Sequence, residues 1–253
     1  MESVRIEGLK KRFGDFLAVD GVDLSVHEGE FFGLLGPNGA GKSTTIKILT
    51  SLLRPSAGKA LICGYDVVEQ ALEVKRSIGL LPEDLNLYER LSGEEFIHFA
   101  GRMYGLSEDL VRDRTRELFE LLELSEQRHK LVIDYSFGMK KKLGLAAALI
   151  HRPRVIFLDE PFNGIDVISM RSVRRVLQEL TGRGITIFFS SHVMEVVEKL
   201  CDRIAIMSQG RISAVGKLEE LKERAGPEIR DLEEVFLHFV GEKGPSRRLS
   251  WIT

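Results

Sequence analysis

Short apolar runs bounded by turn residues dominate the first part of the chain and predict strands. These runs are Val4–Ile6, Ala18–Val19, Val22–Val26 and Phe31–Leu35. The last of them is uninterrupted, which is typical of a strand buried on both faces. From Lys42 the apolar positions follow a helical spacing instead. We expect that helix to end at Arg54, because Pro55 disfavours the helical conformation of the residue before it.

The middle of the chain, from about Pro82 to Leu149, has mostly helical spacing. Ser92 and Glu95 form a capping-box pattern, which predicts the start of one helix. Ser107 predicts the start of a second helix, in which apolar residues recur at intervals that place them on one buried stripe. The stripe consists of Val111, Leu118, Leu121 and Leu122.

Strand patterns return in the second half of the chain. Val155–Leu158 and Ile185–Phe189 are continuous apolar runs, and a helical pattern at Val167–Leu180 separates them. This alternation predicts a right-handed crossover and a parallel sheet. We therefore predict an α/β fold in which a parallel-sheet core carries an N-terminal antiparallel β region and a helical insertion. The predicted domain is 1–240, with core segments 1–82 and 150–220, a helical subdomain at 83–149 and a flexible tail at 241–253.

Composition narrows the possible functions. The 36 Lys and Arg residues nearly balance the 38 Asp and Glu residues, so the chain has no global field that would attract nucleic acid, and we expect no such partner. Hydrophobic residues make up 43% of the chain, which excludes a disordered polymer. Apolar runs fall short of the roughly 18 residues needed to span a bilayer, and no secretory signal pattern is visible. Cys63 and Cys201 lack metal-ligand spacing, and two isolated cysteines fit a reducing, cytoplasmic environment.

A phosphate-binding motif lies between the buried strand and the helix that begins at Lys42. Residues 36–43, GPNGAGKS, match the pattern G-x-x-x-x-G-K-[ST]. The glycines let backbone N–H groups turn toward a phosphate, and the helix start adds its positive dipole. We expect Lys42 to bind the β- and γ-phosphates and Ser43 to bind Mg²⁺, which predicts a P-loop nucleoside triphosphate site. The expected contacts with the nucleoside triphosphate are Gly36, Pro37, Asn38, Gly39, Ala40, Gly41, Lys42, Ser43 and Thr44.

Two carboxylates close the strand Val155–Leu158. The carboxyl ends of parallel strands face the ligand crevice, so we expect Asp159 beside the phosphate loop as a Mg²⁺ ligand. Glu160 follows it and is the candidate general base for the attacking water. His192 follows the strand Ile185–Phe189 at the same edge and is the candidate contact for the γ-phosphate and water. The alternatives are that acids simply follow strands in loops, and that a lone histidine is structural.

The sequence Tyr135-Ser136-Phe137-Gly138-Met139 resembles the signature of ATP-binding cassette (ABC) transporter subunits, usually Leu-Ser-Gly-Gly-Gln. Together with the phosphate loop and the acidic strand end, it makes nearly the whole chain similar to a nucleotide-binding subunit of that family. The resemblance implies a RecA-like P-loop NTPase core and ATP as the nucleotide. The resemblance implies that Ser136 and Gly138 contact the γ-phosphate of a nucleotide bound by a partner chain. Lys140, Lys141 and Lys142 follow on the predicted helix, where we expect a solvated face.

The resemblance also assigns roles at single positions. Phe13 matches the aromatic residue that stacks on adenine, with a core phenylalanine as the alternative. His192 matches the switch histidine, and Asn163–Asp166 resembles the loop that crosses the dimer interface. Glu83 stands where the family usually has glutamine. A glutamate there is able to bind Mg²⁺, or it serves the mechanical link to a membrane subunit.

The implied machine is a homodimer or heterodimer of cassettes that closes on ATP and Mg²⁺. It would lie peripherally on the cytoplasmic face of the membrane and drive a separate integral membrane permease, with the segment Pro82–Leu149 as the docking surface. The stretch Asp231–Leu237 resembles export-type cassettes for drugs, lipids or polysaccharides. A GTPase is excluded because no Asn/Thr-Lys-x-Asp sequence occurs. The alternative that stays open is a soluble ABC ATPase acting on a nucleic-acid or ribosomal partner.

Overall fold

The computed structural model describes residues 1–241, so the predicted tail lies outside the described residues except for Gly241. The strands are β1 (Glu2–Phe13), β2 (Phe16–His27), β3 (Phe31–Leu35), β4 (Ala57–Ile62), β5 (Tyr65–Asp66), β6 (Ile78–Leu81), β7 (Val155–Asp159), β8 (Thr186–Ser191), β9 (Arg203–Ser208) and β10 (Arg211–Gly216). The helices are α1 (Lys42–Leu49), α2 (Ala71–Ser77), α3 (Gly93–Met103), α4 (Glu108–Leu121), α5 (Phe137–Leu149), α6 (Val167–Gly182), α7 (Met194–Leu200), α8 (Leu218–Ala225) and α9 (Leu232–Val240). None of these helices is both long and apolar enough to span a membrane.

A six-stranded sheet forms the centre of the molecule, in the order β10-β9-β3-β8-β7-β6. Strands β9, β3, β8, β7 and β6 run parallel to one another, and β10 pairs antiparallel at one edge. The predicted parallel connection from β7 through α6 to β8 is therefore confirmed. Because β3 lies between two parallel partners, all five of its residues are buried, as the uninterrupted apolar run predicted.

The N-terminal β region is a separate four-stranded sheet in the order β2-β1-β4-β5, paired antiparallel throughout. The strand prediction here was correct in type but too short, since β1 and β2 each extend over 12 residues. The runs at Ala18–Val19 and Val22–Val26 belong to one strand. Strands β4 and β5 and helix α2 were not predicted by the sequence analysis.

The central sheet has a hydrophobic core on each face, and neighbouring residues of one strand point to opposite cores. Phe32 of β3 packs with Phe157 and Phe188 beneath the N-terminal sheet and α1. Phe31 and Phe189 pack edge to face on the other side, in the core that includes α5, α6 and α9. The alternation follows from the two-residue period of a strand.

The middle of the chain is helical, as predicted. Ser92 and Glu95 make both hydrogen bonds of a capping box at the start of α3. Ser107 occupies the N-cap position of α4. Helix α1 is shorter than expected: it ends at Leu49, and the following turn up to Pro55 is not helical. The predicted stripe of α4 was partly wrong, because Phe119 lies in the core while Leu118 and Leu121 are only partly buried.

The prediction of a solvated face for Lys140, Lys141 and Lys142 was wrong. The side chains of Lys141 and Lys142 are almost fully buried, since α5 packs between the central sheet and neighbouring helices. Each lysine uses its long stem to reach a separate acceptor. Lys140 pairs with Glu89, Lys142 pairs with Glu123, and Lys141 donates to a main-chain carbonyl.

Candidate active site

The phosphate loop joins the carboxyl end of β3 to the start of α1, as the motif predicted. Gly41 takes a φ of +105°, a left-handed conformation that favours glycine, as it turns the chain into the helix. Gly36 lies so close to the carbonyl of Met207 that a Cβ would clash with it. The loop therefore depends on glycine for both its turn and its contact with the sheet. Pro37, Asn38, Gly39 and Ala40 complete it, and Thr44 follows in the first turn of α1.

Lys42 lies at the first position of α1, and its side chain is 5% exposed. Its Nζ donates hydrogen bonds to the carbonyl oxygens of Gly36 at 2.8 Å and Pro37 at 3.2 Å. The same atom is 3.2 Å from Oε1 of Glu160, whose side chain is 6% exposed. A buried ammonium at the phosphate loop is thus held by the loop itself and by one carboxylate.

Asp159 and Ser43 meet as expected for a metal site. Ser43 Oγ donates to Asp159 Oδ1 over 3.1 Å, although 116 positions separate the two residues. Ser190 Oγ donates to the same carboxylate oxygen over 2.6 Å and accepts a hydrogen bond from the main-chain N–H of Glu160. Fully buried Ser190 therefore fixes both acidic residues at the end of β7.

Glu160 is oriented by two side chains. Its Oε2 is 2.9 Å from Nδ1 of His192, while its other oxygen faces Lys42. The residue takes a φ of +46°, an uncommon conformation for a residue other than glycine and one that tends to occur at functional sites. His192 is partly exposed, so its ring lies between the buried carboxylate and solvent. In this arrangement the Glu160 carboxylate is able to accept a proton from a water molecule near the phosphate loop.

The signature residues lie at the start of α5. Ser136 is the N-cap, and its hydroxyl accepts a hydrogen bond from the N–H of Met139. A Cβ at Gly138 would come within 2.6 Å of Ser169 Oγ, so glycine here permits α5 to pack against the start of α6. Asp166 caps α6 by accepting from Ile168 N–H and Ser169 N–H, and these bonds hold its pKa below the usual value. Two loops of the expected dimer interface thus contact each other within one chain.

Three expected site residues lie apart from the phosphate loop. Across residues 1–241, no hydrogen bond or ion pair connects Phe13, Glu83 or Ser136 to Lys42, Ser43 or Asp159. Phe13 ends β1 with its ring about half exposed, near the ammonium of Lys11. Glu83 is exposed just after β6. The roles expected for these three residues stay predictions.

Ser190 is the residue that sequence reasoning missed. It lies directly opposite Asp159 in the register of β7 and β8, so it projects to the same place at the same sheet edge. The available signal was the change from apolar residues to serine at the end of the run Ile185–Phe189. Reading that signal required knowing that β8 and β7 are neighbours.

A phosphate loop, an acidic strand end and a parallel sheet with β3 at its centre define a P-loop ATPase. The family model described as "ABC transporter" matches residues 19–163, more than half of the chain. The Daunorubicin resistance ATP-binding protein DrrA3 of Streptomyces coeruleorubidus is 39% identical over 251 residues, which cover 99% of this chain and 78% of the relative. The chain therefore belongs to the ABC transporter family and is one of its ATP-binding ATPase subunits.

Solved structures agree with this assignment. The ATP-binding subunit of an ABC transporter matches with a TM-score of 0.87 and 30% identity, covering 93% of this chain and 98% of that one. The ATP-binding cassette MJ0796, in a dimeric post-hydrolysis state bound to ADP and phosphate, matches with a TM-score of 0.78. It covers 85% of this chain and 98% of that one at 24% identity, so it supports the fold.

Proposed function

We propose that this protein hydrolyses ATP between two cassettes and drives export through a separate membrane subunit. In this proposal the protein itself lies peripherally on the cytoplasmic face of the membrane. The observation that carries the proposal is the network at the phosphate loop, in which Lys42, Glu160 and His192 form one chain of contacts. In this proposal Lys42 binds the β- and γ-phosphates, and Glu160 accepts the proton of the attacking water. His192 keeps the Glu160 carboxylate in place and contacts the γ-phosphate.

The oxygen donors at the end of β7 fit Mg²⁺. Ser43 Oγ and Asp159 Oδ1 are 3.1 Å apart, and Mg²⁺ prefers one or two protein oxygens together with phosphate oxygens and water. Ser190 orients the carboxylate from behind. When bound, Mg²⁺ neutralises phosphate charge and polarises the γ-phosphoryl group. We propose Glu83 as a further Mg²⁺ ligand because its carboxylate supplies oxygen donors.

The proposed active unit is a dimer arranged head to tail. Among the described residues Ser136 makes no hydrogen bond to the phosphate loop of its own protomer, so in this proposal Ser136 and Gly138 contact the γ-phosphate held by Lys42 of a second cassette. The N-terminus of α5 presents N–H groups and a positive dipole end, which favour an anion. Phe13 would stack on the adenine. The dimeric state of the cassette MJ0796 supports this assembly.

The proposed membrane subunit docks on an apolar groove of about 820 Å³ between the loop after β6 and helix α3. Leu85, Leu87, Tyr88, Leu91 and Phe99 contribute apolar surface to the groove. Tyr88 is 58% exposed, and its ring packs edge to face on Phe99. Exposed aromatic side chains in such a groove are typical anchors for a partner. The resistance function named for the relative DrrA3 supports export as the direction of transport.

Mixing two inactive variants tests the composite site. Ser136→Arg disrupts the signature, and Lys42→Ala removes the phosphate contact. We expect each pure variant to lose ATPase activity. We also expect a mixture to regain part of it, because one heterodimer site combines an intact Lys42 with an intact Ser136. Wild-type activity in pure Ser136→Arg would contradict the trans role.

Affinity capture from solubilised native membranes tests the docking groove. We expect an integral membrane protein to co-purify with the wild-type chain and to be lost with Tyr88→Asp. The matched control is Leu52→Asp, because Leu52 is equally exposed at 59% and lies at the turn after α1. Capture of a ribosome or nucleic acid instead would favour the soluble alternative. Equal loss of the captured membrane protein in Tyr88→Asp and Leu52→Asp would contradict the assignment of this groove as the docking site.

A further inference from the structure

Lys141 is the most deeply buried charged side chain near the active site. It is 1% exposed, and its Nζ donates a hydrogen bond of 3.0 Å to the main-chain carbonyl of Glu83. Burial lowers the pKa of Lys141, while the negative charges of Glu83, Asp159, Asp84 and Glu160 act in the opposite direction. A buried ammonium is costly unless it is paired and hydrogen-bonded. The negative charges of these carboxylates therefore favour the charged form of Lys141 and offset part of the cost of burying it.

The same lysine connects three loops. Its Nζ lies 5.6 Å from the ring centroid of Phe137, one turn earlier on α5. That ring in turn covers Gly164, where an added Cβ would be 3.1 Å from Phe137 Cε1. Lys141, Phe137, Glu83 and Gly164 also border one cavity of about 610 Å³. Two side chains, Lys141 and Phe137, therefore connect the loop after β6, the start of α5 and the loop before α6.

We propose that Lys141 is a positioning residue that links Glu83 to the signature at the start of α5. The inference rests on the proposed function, in which Ser136 contacts ATP held by the partner cassette. ATP in the partner then sets the position of α5, and the hydrogen bond from Lys141 to the Glu83 carbonyl carries that position to the loop after β6. Each cassette thereby adjusts Glu83, the proposed further Mg²⁺ ligand of its own site, to the nucleotide bound in the other site.

Neighbouring Lys142 provides a matched control. It lies on the same helix and is also almost buried, but its Nζ pairs with Glu123, just after α4, and not with the loop after β6. Replacing either lysine by methionine keeps the length and apolar packing of the stem and removes the charge and donor. A purely structural role would make the two variants alike. A positioning role would separate them.

The test combines equilibrium ATP binding with steady-state hydrolysis. In Lys141→Met we expect the affinity of a single site for ATP to change less than about twofold. We expect kcat to fall roughly fivefold or more and the cooperativity of ATP binding to disappear, as loss of coupling between sites requires. Lys142→Met should lower Tm and leave both kcat and cooperativity near wild type. If the methionine variant fails to fold, Lys141→Gln supports the same measurements.

A second comparison isolates the path through Glu83. In a Glu83→Gln background we expect Lys141→Met to add little to the loss of kcat, because Lys141 is proposed to act on turnover only through the position of the Glu83 side chain, and effects that pass through one residue are not additive. Wild-type kcat and cooperativity in folded Lys141→Met would overturn the inference, and so would equal losses in Lys142→Met. Absence of cooperativity in the wild-type protein would instead refute the two-site function on which the inference rests.

Discussion

Replacing Glu160 by glutamine gives the sharpest test of the active site. The substitution keeps the size of the side chain and its contact with His192 but removes the negative charge 3.2 Å from Lys42 Nζ. Removing one partner of a buried ion pair costs on the order of 3–5 kcal/mol. Lys42 retains the carbonyls of Gly36 and Pro37, so we expect the lower part of that range. For a domain of this size, about 3 kcal/mol corresponds to a fall in Tm of roughly 6–12 °C without nucleotide.

Adding ATP should reverse this loss of thermal stability in Glu160→Gln and reveal the catalytic defect of the variant. The phosphates supply the negative charge that Lys42 has lost, so we expect the Tm difference between Glu160→Gln and wild type to narrow with ATP. Without a base for the attacking water, turnover should fall by a factor on the order of 10² or more, which corresponds to about 2.7 kcal/mol in the barrier. We also expect the variant to accumulate as an ATP-bound dimer on size exclusion.

The control is Glu83→Gln, which neutralises a carboxylate that makes no ion pair with Lys42. We expect it to retain more of the wild-type turnover than Glu160→Gln and to leave the nucleotide-free Tm unchanged. Thermal melts with and without ATP and steady-state phosphate release measure both quantities. Wild-type turnover in Glu160→Gln, together with loss of turnover in Glu83→Gln, would refute our assignment of the base. Glu83 would then be the catalytic carboxylate.

Three further predictions concern binding, packing and pH. Lys42→Ala should abolish ATP binding measured by calorimetry while the circular dichroism spectrum stays that of the wild type, since the variant loses the point charge on the phosphates. Gly79→Ala should lower the free energy of unfolding by about 1–3 kcal/mol or more, because the added Cβ would clash with the carbonyl of Ala148. The control is Gly182→Ala, which has open space around the added Cβ and should be neutral or stabilising. A denaturant titration measures both variants. Burial raises the pKa of Tyr135 from 10.0 to about 12, so the stability linked to its protonated hydroxyl is complete below pH 10 and is lost as the pH rises toward 12. Tyr135→Phe should show a shallower fall of Tm over that interval, and an unchanged slope would contradict this account.

The sequence alone was sufficient for features whose cause is local. An uninterrupted apolar run predicts a buried strand, and Gly36–Ser43 predicts a phosphate loop because turn, dipole and lysine lie within eight consecutive positions. The capping box at Ser92 is local for the same reason, since both of its hydrogen bonds connect residues three positions apart. The class of fold followed from the order of these elements.

Tertiary structure decided the features that depend on which strands and helices are neighbours. Ser190 bridges Asp159 and Glu160 only because β7 and β8 are paired in one register. The lysines of α5 are long and charged, so their composition favours solvent, and burial became possible only where Glu83 and Glu123 offered acceptors from distant parts of the chain. A sequence pattern records a preference for water or for the interior. Whether a polar group finds a partner inside depends on the packing of segments tens of residues apart, and that packing decided where the charges of this active site lie.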